Sequence, residues 1–179
     1  YVKLWWLPYT PNALVLRYER TTEPRTRRPS VETERLIEDW LMHRALLPTW
    51  LAWLRRHPDG VPRFNQLSDR MLGTKRRVGP SDVMFNTPDP VPHHETEAAL
   101  PLSVAGEAFQ RTVATIDRIG VPVSFIVELR YVKGDEIWMS PAYGGDVVQL
   151  GAYTALTAHR RAYFDAFWEE MRELGARPH

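Results

Sequence analysis

The stretch Val121-Pro122-Val123-Ser124-Phe125-Ile126-Val127-Glu128-Leu129-Arg130-Tyr131-Val132 decides the fold of this chain. Its β-branched and aromatic content predicts a strand, and strand side chains alternate between faces with period two. Glu128 and Arg130 therefore share one face, while Val127, Leu129 and Tyr131 share the other. A carboxylate beside a guanidinium can grip a substrate hydroxyl from two directions. On strand alternation alone, the same pair is an ordinary ion pair on a sheet, of a common and weak kind.

Regular structure is predicted on both sides of it. Residues 95–100 read as a strand, and Ser103 as the N-cap of a helix running to Ile119. Residues 146–156 form another strand, and 158–174 an amphipathic helix that Gly175 closes in the left-handed conformation. Strand-helix-strand-strand-helix is the grammar of a split α+β, ferredoxin-like unit.

The first half is less regular. Residues 2–7 and 13–19 read as an antiparallel hairpin around Pro8-Tyr9-Thr10-Pro11-Asn12, and 21–29 as an arginine-rich mobile loop. Ser30 N-caps a helix with Glu32 and Glu34 in its first turn and Leu36, Ile37, Trp40, Leu41 and Arg44 at helical spacing. Pro48 should kink or break it, with 49–56 continuing as a second amphipathic piece. Trp40, Trp50 and Trp53 are read as core or interface packing. Residues 67–72 suggest a short helical turn, 73–80 a basic loop, 82–86 a strand and 87–92 a rigid connection.

Composition bounds the rest. With 179 residues and 44% apolar content, one domain with one core is the default. A net charge of +1 carries no message about partners. The clusters Arg25, Arg27, Arg28 and Lys75, Arg76, Arg77 sit beside proline or glycine, which reads as solvated loops and gives no support for nucleic-acid binding. The absence of cysteine rules out disulfides and thiolate metal sites and points to a cytoplasmic setting. No apolar run approaches the roughly 20 residues of a membrane span, which leaves peripheral membrane association open. His93 and His94 invite a metal, but neighbours on a strand face opposite ways and no His-x-x-x-His spacing exists, so none is expected.

Four segments carry a family resemblance. Glu128-Leu129-Arg130 is followed by Asp135-Glu136-Ile137-Trp138-Met139-Ser140-Pro141-Ala142-Tyr143-Gly144-Gly145-Asp146. The chain ends in Gly175-Ala176-Arg177-Pro178-His179, and near its start lies Lys3-Leu4-Trp5-Trp6-Leu7-Pro8-Tyr9-Thr10. Together these resemble the C-terminal part of the sugar-1,4-lactone oxidases, the arabinonolactone, gulonolactone and alditol oxidases of the vanillyl-alcohol-oxidase flavoprotein superfamily. The final segment is similar to the family's Gly-Arg-Pro-His-Trp-x-Lys ending, with Ala176 in place of the second glycine. Tyr9 stands where the family commonly has histidine.

The resemblance implies an α+β fold, an antiparallel sheet with helices on one face, as in the ferredoxin-like cap domain of these enzymes. It implies FAD as cofactor, bound mainly by a domain this sequence lacks, since no glycine-rich FAD-binding stretch occurs. Residues 1–179 then read as a single substrate-binding cap domain, a piece of a longer flavoenzyme, inactive alone. The implied substrate is a sugar lactone or polyol whose CH–OH group loses a hydride to flavin. Arg130 becomes the electrostatic stabiliser and Glu128 the orienting or proton-accepting group. Ser140 and Tyr143 fall near the pocket mouth as substrate-binding residues, and His179 in the cofactor-binding region. An apolar and aromatic patch is expected near the site strand. The rival reading is a stand-alone α+β module that binds a polyol or protein without redox chemistry.

Overall fold

The computed structural model describes residues 1–26, 45–85, 92–155, 157 and 159–179. Strands β1 (Val2–Trp6) and β2 (Ala13–Arg17) open the chain, and helices α1 (Leu47–Leu54), α2 (Val61–Met71) and α3 (Ser81–Phe85) follow. Then come β3 (His93–Pro101), α4 (Ala105–Ile119), β4 (Val127–Val132), β5 (Val147–Ala155), α5 (Arg160–Glu173) and β6 (Arg177–Pro178). The helix expected from Ser30 to Arg44, with Trp40, lies outside the described residues, as do 87–91 of the expected connection.

All six strands join one antiparallel sheet in the order β2-β1-β4-β5-β3-β6. From β3 onward this is the split arrangement read from the sequence: β5 lies between β4 and β3, and β3 between β5 and β6. The β1-β2 hairpin extends the sheet beyond β4. The fold is therefore α+β, with an open antiparallel sheet.

Alternation decides which face is covered. Trp6, Val127, Leu129, Leu150, Ala152, Ala98 and Leu100 point to one side and pack against Ile116, Tyr163, Phe167 and Met171 of α4 and α5. Helix α5 ends in a Schellman closure: Gly175, at φ +75°, donates to the Arg172 carbonyl (3.1 Å), and Ala176 donates to that of Met171 (3.0 Å). Ala176 packs against the core, the apolar contact that accompanies this motif.

Several expectations need correction. The strand expected over 121–132 begins only at Val127. Its first half is claimed by side chains instead of a ladder. Tyr9, itself held at φ +69°, accepts from the Val123 N–H (3.2 Å) and donates to the Val121 carbonyl (3.3 Å). Buried Asn65 of α2 donates to the Val123 and Pro8 carbonyls, both at 3.0 Å. Pro122 has no N–H to offer a neighbouring strand.

The strand expected at 82–86 is helix α3. Its apolar residues Val83, Met84 and Phe85 run consecutively without alternation, and the Pro80 carbonyl accepts from Val83 and Met84 at 3.0 Å. Ser103 does not cap α4; it sits within a 3-10 turn, Leu102–Val104, through which the chain enters the helix. The helical turn expected at 67–72 is the end of the longer α2, which Pro62 opens from its first turn. Pro48 likewise stands in the first turn of α1. On α1 it is Leu51 and Leu54 that are buried, while Trp50 and Trp53 remain half-exposed, Trp50 stacking on Phe64 and Trp53 against His57.

The core makes two opposite predictions. Phe167→Ala empties a fully buried site and should cost about 3–5 kcal/mol in denaturant unfolding. Tyr163→Phe removes a buried hydroxyl that lacks a hydrogen-bond partner and should raise stability by about 1 kcal/mol. Burial also pushes the Tyr163 phenol above its ordinary range, so it stays protonated in the fold while the unfolded chain ionises near about pH 10. This contribution is complete below that pH and is lost as pH rises, so Tyr163→Phe should also flatten the alkaline fall in stability.

Candidate active site

The other face of the sheet carries no helix from the α4–α5 layer, and its polar side chains converge. Register sets them in two rows. Trp5 of β1, Glu128 of β4, Gly151 of β5 and Glu97 of β3 stand opposite one another in the first. Lys3, Arg130 and Gln149 form the second. Glu128 and Arg130 thus share a face, as read from the sequence.

Their partners differ from that reading. The close partner of Arg130 is Glu97: Nη2 donates to both of its carboxylate oxygens, at 2.5 Å to Oε1. The Nε of Arg130 stands 3.5 Å from Glu128 Oε2 and is buried without a hydrogen-bond acceptor. Glu128, only 6% exposed, is held from the β1 side, where Trp5 Nε1 donates to Oε1 (2.5 Å) and Lys3 Nζ lies 3.3 Å away. Lys3 also sits 4.4 Å above the Trp5 ring. Two carboxylates face two cations, so the cluster is neutral as drawn from its charged members.

Tyr153 completes it. Its hydroxyl lies 3.0 Å from Glu97 Oε1 and 3.1 Å from Glu128 Oε2. Gly151 makes this possible: a Cβ there would come within 2.6 Å of the Tyr153 ring, which therefore occupies the space between the two glutamates. Burial first, then Glu128 and Glu97, push the Tyr153 phenol far above its ordinary range, so it acts as a donor. For Arg130, burial works to lower the pKa and Glu97 and Glu128 outweigh it, leaving the guanidinium raised.

Beside these groups opens a cleft of ≈ 500 Å³ lined by Tyr1, Lys3, Tyr18, Phe85, Glu128 and Arg130. Phe85 stacks on Tyr18 with ring centres 4.6 Å apart. An aromatic wall facing a carboxylate and a guanidinium suits a polyhydroxylated ligand, with C–H groups on the rings and hydroxyls on the charges.

Ser140 and Tyr143 lie apart from the Glu128–Arg130 pair, on the β4–β5 loop. Ser140 Oγ donates to Asp135 (2.6 Å), and the Tyr143 carbonyl accepts from Arg177 (3.2 Å). Gly134 N–H donates to Asp146 (2.7 Å) and Gly144 N–H to the Asp135 carbonyl (2.9 Å), so the loop is firmly braced. At its tip Ile137, Trp138 and Met139 stand in solvent, the last two more than 90% exposed. His179 does reach the cluster: its Nε2 is 3.7 Å from Glu97 Oε2, and its backbone N–H donates to the Glu97 carbonyl (3.2 Å). His93 and His94 part to opposite faces of β3, His93 over Phe125 and Tyr153, His94 against Arg160.

Sequence reasoning missed Glu97, Tyr153, Lys3 and Trp5. The signal was period two: Lys3/Trp5 and Glu95/Glu97 alternate as Glu128/Arg130 do, and Gly151 interrupts a strand two residues before Tyr153. Gly151→Ala should displace the Tyr153 ring and cost about 1–3 kcal/mol in thermal or denaturant unfolding, and Tyr153→Ser in the same chain should recover much of it.

The D-arabinono-1,4-lactone oxidase family model matches residues 1–179. An L-gulono-1,4-lactone dehydrogenase of Mycobacterium tuberculosis is 30% identical over 70% of this chain and 29% of its own length. L-gulonolactone oxidases of Scyliorhinus torazame and Bos taurus are 27% and 24% identical over 100% of this chain, each over 41% of its own length. The chain thus spans less than half of these relatives. It belongs to the D-arabinono-1,4-lactone oxidase family.

Proposed function

We propose that this chain is the substrate-binding cap of an FAD-dependent oxidoreductase that oxidises the CH–OH group of a sugar 1,4-lactone or alditol, and that it is inactive without its flavin-binding partner domain. The observation that carries this reading is that Glu128 and Arg130, an ion pair with Nε 3.5 Å from Oε2, line the same open cleft opposite an aromatic wall. One substrate hydroxyl in that cleft can face both side chains. It would donate to Glu128 and accept from Arg130.

That position supports the following roles. As the carbon loses hydride, charge develops on the hydroxyl oxygen. Arg130 stabilises it, with its guanidinium partly shielded from solvent. Glu128 orients the hydroxyl and takes its proton. Trp5 and Lys3 keep the Glu128 carboxylate aimed through its other oxygen. The aromatic wall of Tyr1, Tyr18 and Phe85 would pack on the carbon skeleton. Ser140 and Tyr143 act from the rim, on a loop that leaves the sheet at the end where Tyr1 lies.

Flavin, when bound, supplies the hydride acceptor. The residue of this chain that would face the reacting end of such a cofactor is His179, half-exposed at the edge of the polar face. The chain does not fit the cofactor's diphosphate, for the sequence has no glycine-rich phosphate loop. That part of FAD would be bound elsewhere in a longer protein.

The test is flavin reduction by the complete gene product loaded with FAD, over a panel of 1,4-lactones and alditols. Arg130→Ala should slow reduction by at least about 100-fold, the scale for removing an electrostatic stabiliser. Reduction at the wild-type rate would return Glu128 and Arg130 to the status of a structural ion network.

A further inference from the structure

We propose that Tyr153 is a proton-relay residue, acting through Glu128: it passes the substrate's proton from Glu128 to Glu97, and so to solvent beside His179. The inference rests on the reading of Glu128 as the group that takes that proton. Its basis is the placement of one phenol oxygen between two carboxylates, 3.1 Å from Glu128 Oε2 and 3.0 Å from Glu97 Oε1.

A phenol carries a single hydrogen. Between two carboxylates it can donate to one, and its lone pairs then face the other. That second contact turns favourable when the facing carboxyl group holds a proton, because that group can then donate to the phenol oxygen. The arrangement is thus complete with one proton more than two carboxylates and a phenol carry at rest. Oxidation of a CH–OH group delivers one.

The balance is simple. The substrate's C–H leaves as hydride with two electrons, its O–H proton goes to Glu128, and the carbon–oxygen bond becomes a carbonyl. Glu128 then donates to the Tyr153 oxygen while Tyr153 donates its own hydrogen to Glu97. One proton has crossed from Glu128 to Glu97 and the phenol is whole again. The raised pKa of Tyr153 means that no phenolate accumulates, so the two transfers are coupled.

The surroundings favour this direction. Glu128 is almost fully buried, and its Oε1 is occupied by Trp5 and Lys3. Arg130 keeps its protons, so its contacts with both glutamates move none. Glu97 Oε2 instead looks toward His179, which is 54% exposed and 3.7 Å away. The Tyr153 ring is fixed for the task by Gly151 beneath it and by His93, whose ring centre lies 5.8 Å off.

Two measurements test the relay. In the 179-residue chain with carboxyl-labelled glutamate, Glu128→Gln should shift the Glu97 side-chain resonance, and Tyr153→Phe should abolish that response. A response of equal size without the phenol would mean that the coupling runs through Arg130, and the relay is wrong. In the complete FAD-loaded protein, Tyr153→Phe should lower steady-state turnover at least about tenfold more than it slows first-turnover flavin reduction. Equal losses in both would make Tyr153 a support for Glu128 and nothing more. No loss in steady state would send the proton out by another route, such as Lys3. Both outcomes overturn the proposal. If the wild type fails to reduce flavin with any lactone or alditol, the oxidase reading falls, and the resonance experiment decides whether the phenol links the two carboxylates.

Discussion

Two glutamates on one face of a sheet, separated by a single intervening strand, constrain everything around them. Register alone brings Glu128 and Glu97 to either side of Gly151. Carboxylates so nearly buried are costly unless each is matched by donors and opposite charge. Arg130 answers Glu97, Lys3 and Trp5 answer Glu128, and Tyr153 reaches both. The helices α4 and α5 serve the opposite face, which is largely apolar and is sealed by Tyr163, Phe167 and Met171. The division of the sheet into a dry face and a charged face is thus a consequence of strand alternation.

What could be read from the sequence follows from the range of the forces involved. Local signals gave the strands around Glu95–Leu100 and 146–156, the helix closed by Gly175, and the shared face of Glu128 and Arg130, because period and capping are local properties. The failures were non-local. Residues 121–126 have strand composition, but their backbone groups are taken by Tyr9 and Asn65, which lie more than 50 residues away in sequence. Short apolar runs such as Val83–Phe85 carry no period long enough to separate helix from strand. Trp50 and Trp53 are spaced for a core, yet an eight-residue helix buries one narrow stripe, and Leu51 and Leu54 occupy it.

The site shows the same limit. Glu128 and Arg130 could be named because they are two residues apart on one strand. Glu97 and Tyr153 belong to other strands, and only the pairing register says that they meet. The register also changes the chemistry, since the strongest ion pair runs between strands and leaves the same-strand pair at 3.5 Å.

The end of α5 has a consequence for how the molecule can vary. Gly175 stops the helix, two residues of β6 pair with Ala98 and Ala99, and the tail then delivers His179 to Glu97. A strand presents alternate residues to alternate faces, so one residue more or fewer in this tail would exchange the side chains that point toward Glu97 and away from it. This segment should therefore accept changes of residue more readily than changes of length. Insertions and deletions in a lineage that keeps this site must accumulate elsewhere, with the last turn of α5 serving as a fixed origin from which the tail is measured.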